Sequence, residues 1–186
     1  MLFLSLLLMM QLKEPLIRGR DYFGPIKVSR FLLDTNLVIF LDVDGDRKPD
    51  TLEVQFLQIQ WCLRIRAHKS EVILALTEDE ALFYDTFTDI YAEVATAFLT
   101  NEEKPLLLVA KEVFPALGNQ FWIYDVVHTA RGLNAETLLN VPNAGWANSP
   151  VLIKPGYVEI QHFRNWTIAK YIWDGEKFIE VPVPEK

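Results

Sequence analysis

One cysteine and three histidines in 186 residues close off several kinds of chemistry before any motif is sought. Cys62 can form no internal disulfide and sits in an alternating apolar segment, where a small buried hydrophobe is the ordinary reading, so cysteine usage leaves the compartment open. His68, His128 and His162 lie far apart with no acid or cysteine at ligand spacing, and each reads as a surface or hydrogen-bonded histidine. No serine stands in a nucleophile-elbow pattern, and no glycine-rich loop precedes a helix. The 18 basic residues form no dense run and are outnumbered by 25 acidic ones, a balance of −7 that excludes nucleic acid as a partner. No repeat at a fixed period is visible, so the chain does not read as a complete multi-bladed propeller.

Long apolar runs are also missing, apart from residues 1–10, of which nine are apolar and one is serine. Ten residues are too few to span a bilayer as a helix, though they suit the apolar core of a secretory signal. No basic residue precedes the run and no small-x-small cleavage site follows it. The reading is therefore an N-terminal segment over 1–12 that serves as a signal or anchor, with any membrane contact confined to residues 1–10. The remainder, 51% hydrophobic and 23% charged over the whole chain, has the balance of an ordinary globular protein and the length for one β-rich domain over 20–186.

What the chain has in abundance is carboxylate in one place. Leu37-Val38-Ile39-Phe40-Leu41 reads as a buried strand, and Leu52 and Val54 restart alternation after an acidic loop. Within that loop Asp42, Asp44, Asp46 and Asp50 can all turn inward around one point, with the Lys48 carbonyl between them. Hard oxygen ligands at this density suit calcium. Gly45 and Pro49 supply bend and stiffness, and without a cation four like charges would crowd together at a cost.

The run Asp42-Val43-Asp44-Gly45-Asp46-Arg47-Lys48-Pro49-Asp50, with a strand on each side, resembles the calcium loop of FG-GAP and VCBS-type repeats, D-x-D/N-G-D-G-x-x-D followed by an apolar residue. Arg47 stands where that family usually has glycine, and Leu52 comes one residue later than the usual apolar position. The resemblance covers about a tenth of the chain, with a weaker echo at Tyr171-Ile172-Trp173-Asp174-Gly175. It implies a bound calcium ion and a structural or adhesive role. An EF-hand fits less well, because Arg47 and Pro49 stand where it needs glycine and an apolar residue. The same loop also resembles the first motif of haloacid-dehalogenase-type phosphatases, which implies a magnesium-dependent phosphohydrolase with Asp42 as nucleophile, Asp44 as acid and base, and Thr77 in a second motif. Against that, Asp46 occupies the position of the family's threonine, and strand-like alternation follows where the family places helices.

Elsewhere, alternation predicts strands near 26–33, 37–41, 52–66, 72–76, 106–113, 121–127, 151–154, 157–163, 166–173 and 177–182. A phase slip at Phe56 predicts a bulge or bend, and Asp174-Gly175 predicts a hairpin. Phe83, Phe87, Ile90, Val94 and Phe98 at helical spacing, opened by the capping pattern Thr77-Glu78-Asp79-Glu80, predict an amphipathic helix over about 78–100; residues 134–139 suggest a second, short one. Trp146, Trp166, Trp173, Tyr157 and Tyr171 offer an aromatic platform for a carbohydrate or protein partner, though core packing explains aromatics in alternating strands as well. The expectation is an α+β protein, mainly antiparallel sheet with one substantial helix. It binds calcium through Asp42, Asp44, Asp46, Lys48 and Asp50 and acts outside the cytoplasm in a structural or adhesive capacity.

Overall fold

The computed structural model describes residues 16–19, 28–33, 36–57, 60–77, 89–100, 104–114, 118–145, 149–162, 164 and 166–183. Among them there are fourteen strands and no helix, so the protein is all-β rather than α+β. The apolar segment 1–12 and the first half of the expected helix lie outside the described residues.

Three sheets stack on one another. The first is an antiparallel meander of β3 (Leu37–Leu41), β4 (Asp50–Leu57), β5 (Gln60–Ala67) and β6 (Ser70–Ala75). The middle sheet has the order β10 (Gly132–Val141), β9 (Gly118–Thr129), β8 (Leu106–Phe114), β7 (Asp89–Ala97) and β2 (Ser29–Leu32), antiparallel throughout. The third runs β1 (Ile17–Gly19), β11 (Val151–Lys154), β12 (Tyr157–Gln161), β13 (Thr167–Trp173) and β14 (Phe178–Val181), with β1 parallel to β11 and the other pairs antiparallel. As expected, the β13–β14 hairpin turns at Asp174, whose Oδ1 accepts the Glu176 and Lys177 amides at 2.8 Å.

The middle sheet is covered on both faces. Leu107 and Val109 of β8 face the first sheet and join a core with Leu52, Val54, Leu63 and Ile65. Their neighbours Leu106, Leu108 and Ala110 face the third sheet, where they meet Val151, Ile153, Val158 and Ile160. Burial on both faces explains why residues 106–110 read as an unbroken apolar run with no alternation.

The same geometry corrects the helix. Residues 89–97 are β7, paired to β8 with Val94 opposite Val109 and Ala95 opposite Leu108. Ala92 and Val94 enter one core, and Ala95 and Ala97 enter the other. When both faces are buried, nearly every position is apolar, and a 3.6-residue spacing can be picked out of a strand. Phe98, assigned to the helical stripe, is exposed just beyond β7, while Phe83 and Phe87 lie outside the described residues. The short helix at 134–139 is likewise strand β10. Its register shifts between Thr137 and Leu139, so Leu133 faces one core while Leu139 and Val141 face the other. The phase slip at Phe56 is not a bulge. It marks the hairpin at which β4 ends and β5 begins, with Leu57 opposite Gln60.

A buried charge cluster ties the layers together. On β7, Glu93 accepts the Leu16 and Ile17 amides at 2.8 and 2.9 Å, fixing the start of β1 in the third sheet to the middle one. Arg30 of β2 forks to Glu93 Oε1 and Glu112 Oε2, each at 2.5 Å, and lies 4.8 Å from the centre of the Tyr91 ring. Burial pushes the Glu93 carboxyl above its ordinary range, against the pull of the two amides and Arg30.

Candidate metal centre

Alternate turns of a meander fall at the same end, so the β3–β4 loop and the β5–β6 turn sit side by side. The turn between β9 and β10, and Lys104 just before β8, come to that end of the middle sheet. Two contacts show the adjacency: a Cβ on Gly132 would lie 3.7 Å from Ser70 Oγ, and one on Gly45 would lie 2.9 Å from Lys104 Cγ. Gly45 has a φ of +85°, so both the turn and the closeness of Lys104 demand glycine there. Lys104 is held in place by an ion pair with Asp125 of β9.

The acidic loop is organised by its own carboxylates. Asp42 accepts the Gly45 amide through Oδ1 at 2.8 Å and the Arg47 amide through Oδ2 at 2.9 Å. Asp44 Oδ1 accepts the Asp46 amide at 3.0 Å, and Asp46 Oδ1 accepts the Lys48 amide at 2.7 Å. Asp50 closes the loop by accepting the Val43 amide at 3.0 Å, and the Val43 side chain is buried in the core beneath.

One carboxylate oxygen from each of Asp42, Asp44 and Asp50 lies within 4.8 Å of the others, close enough to hold a single metal ion. The structure thus brings together three of the five ligands expected from sequence. Asp46 lies outside that group: its Oδ2 is 3.3 Å from Lys48 Nζ and 3.3 Å from His68 Nε2. Electrostatics at the loop's inner end favour neutralisation. Burial pushes the Asp50 carboxyl above its ordinary value, the Val43 amide opposes this, and Asp44, Asp46 and Asp42 add to it by repulsion. At the exposed outer end, the Lys48 amide draws the Asp46 carboxyl lower.

Arg47, at the position where the resembled repeats carry glycine, has a φ of +68°. A left-handed backbone costs an ordinary side chain about 1–2 kcal/mol, partly offset by the greater chain entropy of glycine. Arg47→Gly is therefore expected to leave stability unchanged or raise it by up to about 1 kcal/mol, measured by urea denaturation. A clear loss would show that the Arg47 side chain contributes to the loop.

Two histidines that sequence reasoning set aside join this end of the molecule. His68, in the β5–β6 turn with a φ of +53°, places Nε2 3.7 Å from Asp44 Oδ2. His128, near the end of β9, places Nε2 3.0 Å from the same oxygen. Counting strands along the meander would have put His68 beside the loop; His128 arrives through the stacking of two sheets, which leaves no trace in local sequence.

The phosphohydrolase resemblance finds no support in these surroundings. Asp42 and Asp44 follow a strand that turns straight back into an antiparallel partner rather than into a helix. Thr77 is enclosed and accepts the Trp61 amide at 2.9 Å. Of the aromatic residues singled out in the sequence, Tyr171 and Trp173 pack in part against the core, and Trp166 stacks on His162 with ring centres 3.8 Å apart. Trp146 lies outside the described residues. No family model, no curated protein and no solved structure matches the chain.

Proposed function

We propose that the 42–50 loop binds one calcium ion and that the protein is a structural or adhesive β module acting outside the cytoplasm. The observation that carries this reading is the convergence of oxygens from Asp42, Asp44 and Asp50, all within 4.8 Å, in a loop resembling known calcium loops. The Lys48 carbonyl and water would complete the oxygen shell. Calcium there clamps the end of β3 to the start of β4 and offsets the mutual repulsion of the aspartates. Binding surfaces for a protein or carbohydrate partner would then be held by a stiffened scaffold.

Because the unfolded chain cannot gather these ligands, calcium at a hundredfold excess over its dissociation constant should stabilise the fold by about 2.7 kcal/mol. For a chain of this size that is roughly 5–10 °C in melting temperature. Chelator should remove the gain, calcium should restore it, and Asp42→Asn should abolish the difference. Equal melting temperatures in chelator and in millimolar calcium, with no heat on titration, would disprove the reading.

A further inference from the structure

We propose that Asp44, His68 and His128 form a second metal site, for a divalent transition ion of the zinc class, on the outer side of the acidic loop. The three residues come from three separate segments: the β3–β4 loop, the β5–β6 turn and the end of β9. One ligand atom from each lies within 4.8 Å of the other two. Two Nε2 atoms approach the same Asp44 oxygen, at 3.0 and 3.7 Å. Those separations bracket the edge of about 3.3 Å that follows for a tetrahedron of donors at ~2.0–2.1 Å from zinc. The two rings lie 5.1 Å apart and tilted by 57°, so they are not stacked and their nitrogen edges can converge on a common point.

Donor chemistry separates this site from the calcium loop. Two neutral imidazole nitrogens and one carboxylate suit zinc or cobalt, whereas calcium takes oxygen. The carboxylate is held from below, with the Asp44 side chain 3% exposed and its Oδ1 occupied by the Asp46 amide, which leaves Oδ2 facing the histidines. His68 and His128 are 51% and 39% exposed, so an ion between them would keep a position open to solvent. A further carboxylate oxygen, Asp46 Oδ2, lies 3.3 Å from His68 Nε2. The inference shares Asp44 with the calcium loop but does not depend on calcium binding there.

The test uses the untagged, metal-stripped full chain titrated with cobalt(II) and then zinc. One equivalent of cobalt is expected to bind with visible absorption bands, and zinc to displace it. His68→Asn keeps a residue that tolerates the left-handed turn, and His128→Gln changes an exposed strand end, so both variants retain the fold. Each should weaken cobalt binding by more than the ~10-fold that loss of an outer partner costs, while leaving the calcium-dependent melting shift intact. Asp42→Asn should do the reverse, so the two metal readings can fail separately. In the wild-type protein, zinc should move the NMR signals of two of the three histidines and leave His162 unchanged. No uptake at millimolar cobalt, or uptake equally strong in both histidine variants, would overturn the proposal.

Discussion

Phe121→Ala is expected to cost about 3–5 kcal/mol, a large part of the stability of any single domain. Phe121 lies on β9, between β10 and β8 in the middle sheet, is 0% exposed, and faces the third sheet. Its neighbours on either side are Ala110 of β8 and Val141 of β10. Small flanking residues leave room for the ring, so truncation leaves a cavity that the short side chains cannot fill by shifting. Urea denaturation measures the loss. Phe40→Ala serves as the control, because Phe40 projects from the outer face of the first sheet and is exposed; its replacement should fall within about 0.5 kcal/mol of wild type. If the two variants unfold at the same urea concentration, the stacking of the middle and third sheets described above is wrong.

The second large effect concerns the buried charges. Arg30→Met removes the cation that forks to Glu93 and Glu112, which stand 1% and 0% exposed. Two carboxylates would remain with no counter-charge from Arg30, and breaking a buried pair in this way costs on the order of 3–5 kcal/mol. The loss should depend on pH. Burial already raises the Glu93 carboxyl above the ordinary value of 4.5, and removing Arg30 takes away a positive charge that holds it down. Between its unfolded and folded values the native state binds the extra proton, so stability falls as pH rises through that window. Arg30→Met should therefore be less damaging near the ordinary carboxylate range than at neutral pH. A penalty independent of pH would show that the lost packing of the arginine, and not the stranded charge, accounts for the change.

Legibility of the fold in the sequence followed burial. Strands of the first and third sheets have one face on a core and one toward solvent, so their alternation gave β12 and β13 within a few residues, and β4 with β5 as one stretch whose phase slip turned out to be their hairpin. β7 and β10 were misread because the first is buried on both faces and the second changes faces at its register shift. In each case the period of two is erased or broken, and helical spacing becomes as good a description as any. Glu93 was hidden by the same cause, since a buried carboxylate among alanines looks like the polar edge of a helix until its amide and arginine partners are seen.

By itself the sequence determined the acidic loop and its flanking strands, because a run of aspartates with Gly45 at the bend encodes its own turn: each carboxylate caps backbone amides a few residues away. It also determined the hairpin at Asp174 on the same local grounds. Tertiary structure alone decided that β7 is a strand, that Asp42, Asp44 and Asp50 converge while Asp46 turns toward Lys48 and His68, and that His128 meets Asp44 across 84 positions of sequence. Local hydrogen bonds are set by residues close in the chain. Which strand is covered on both faces, and which turns share an end, depends on how separate sheets stack, and that is fixed by the summed burial of two cores rather than by any one segment.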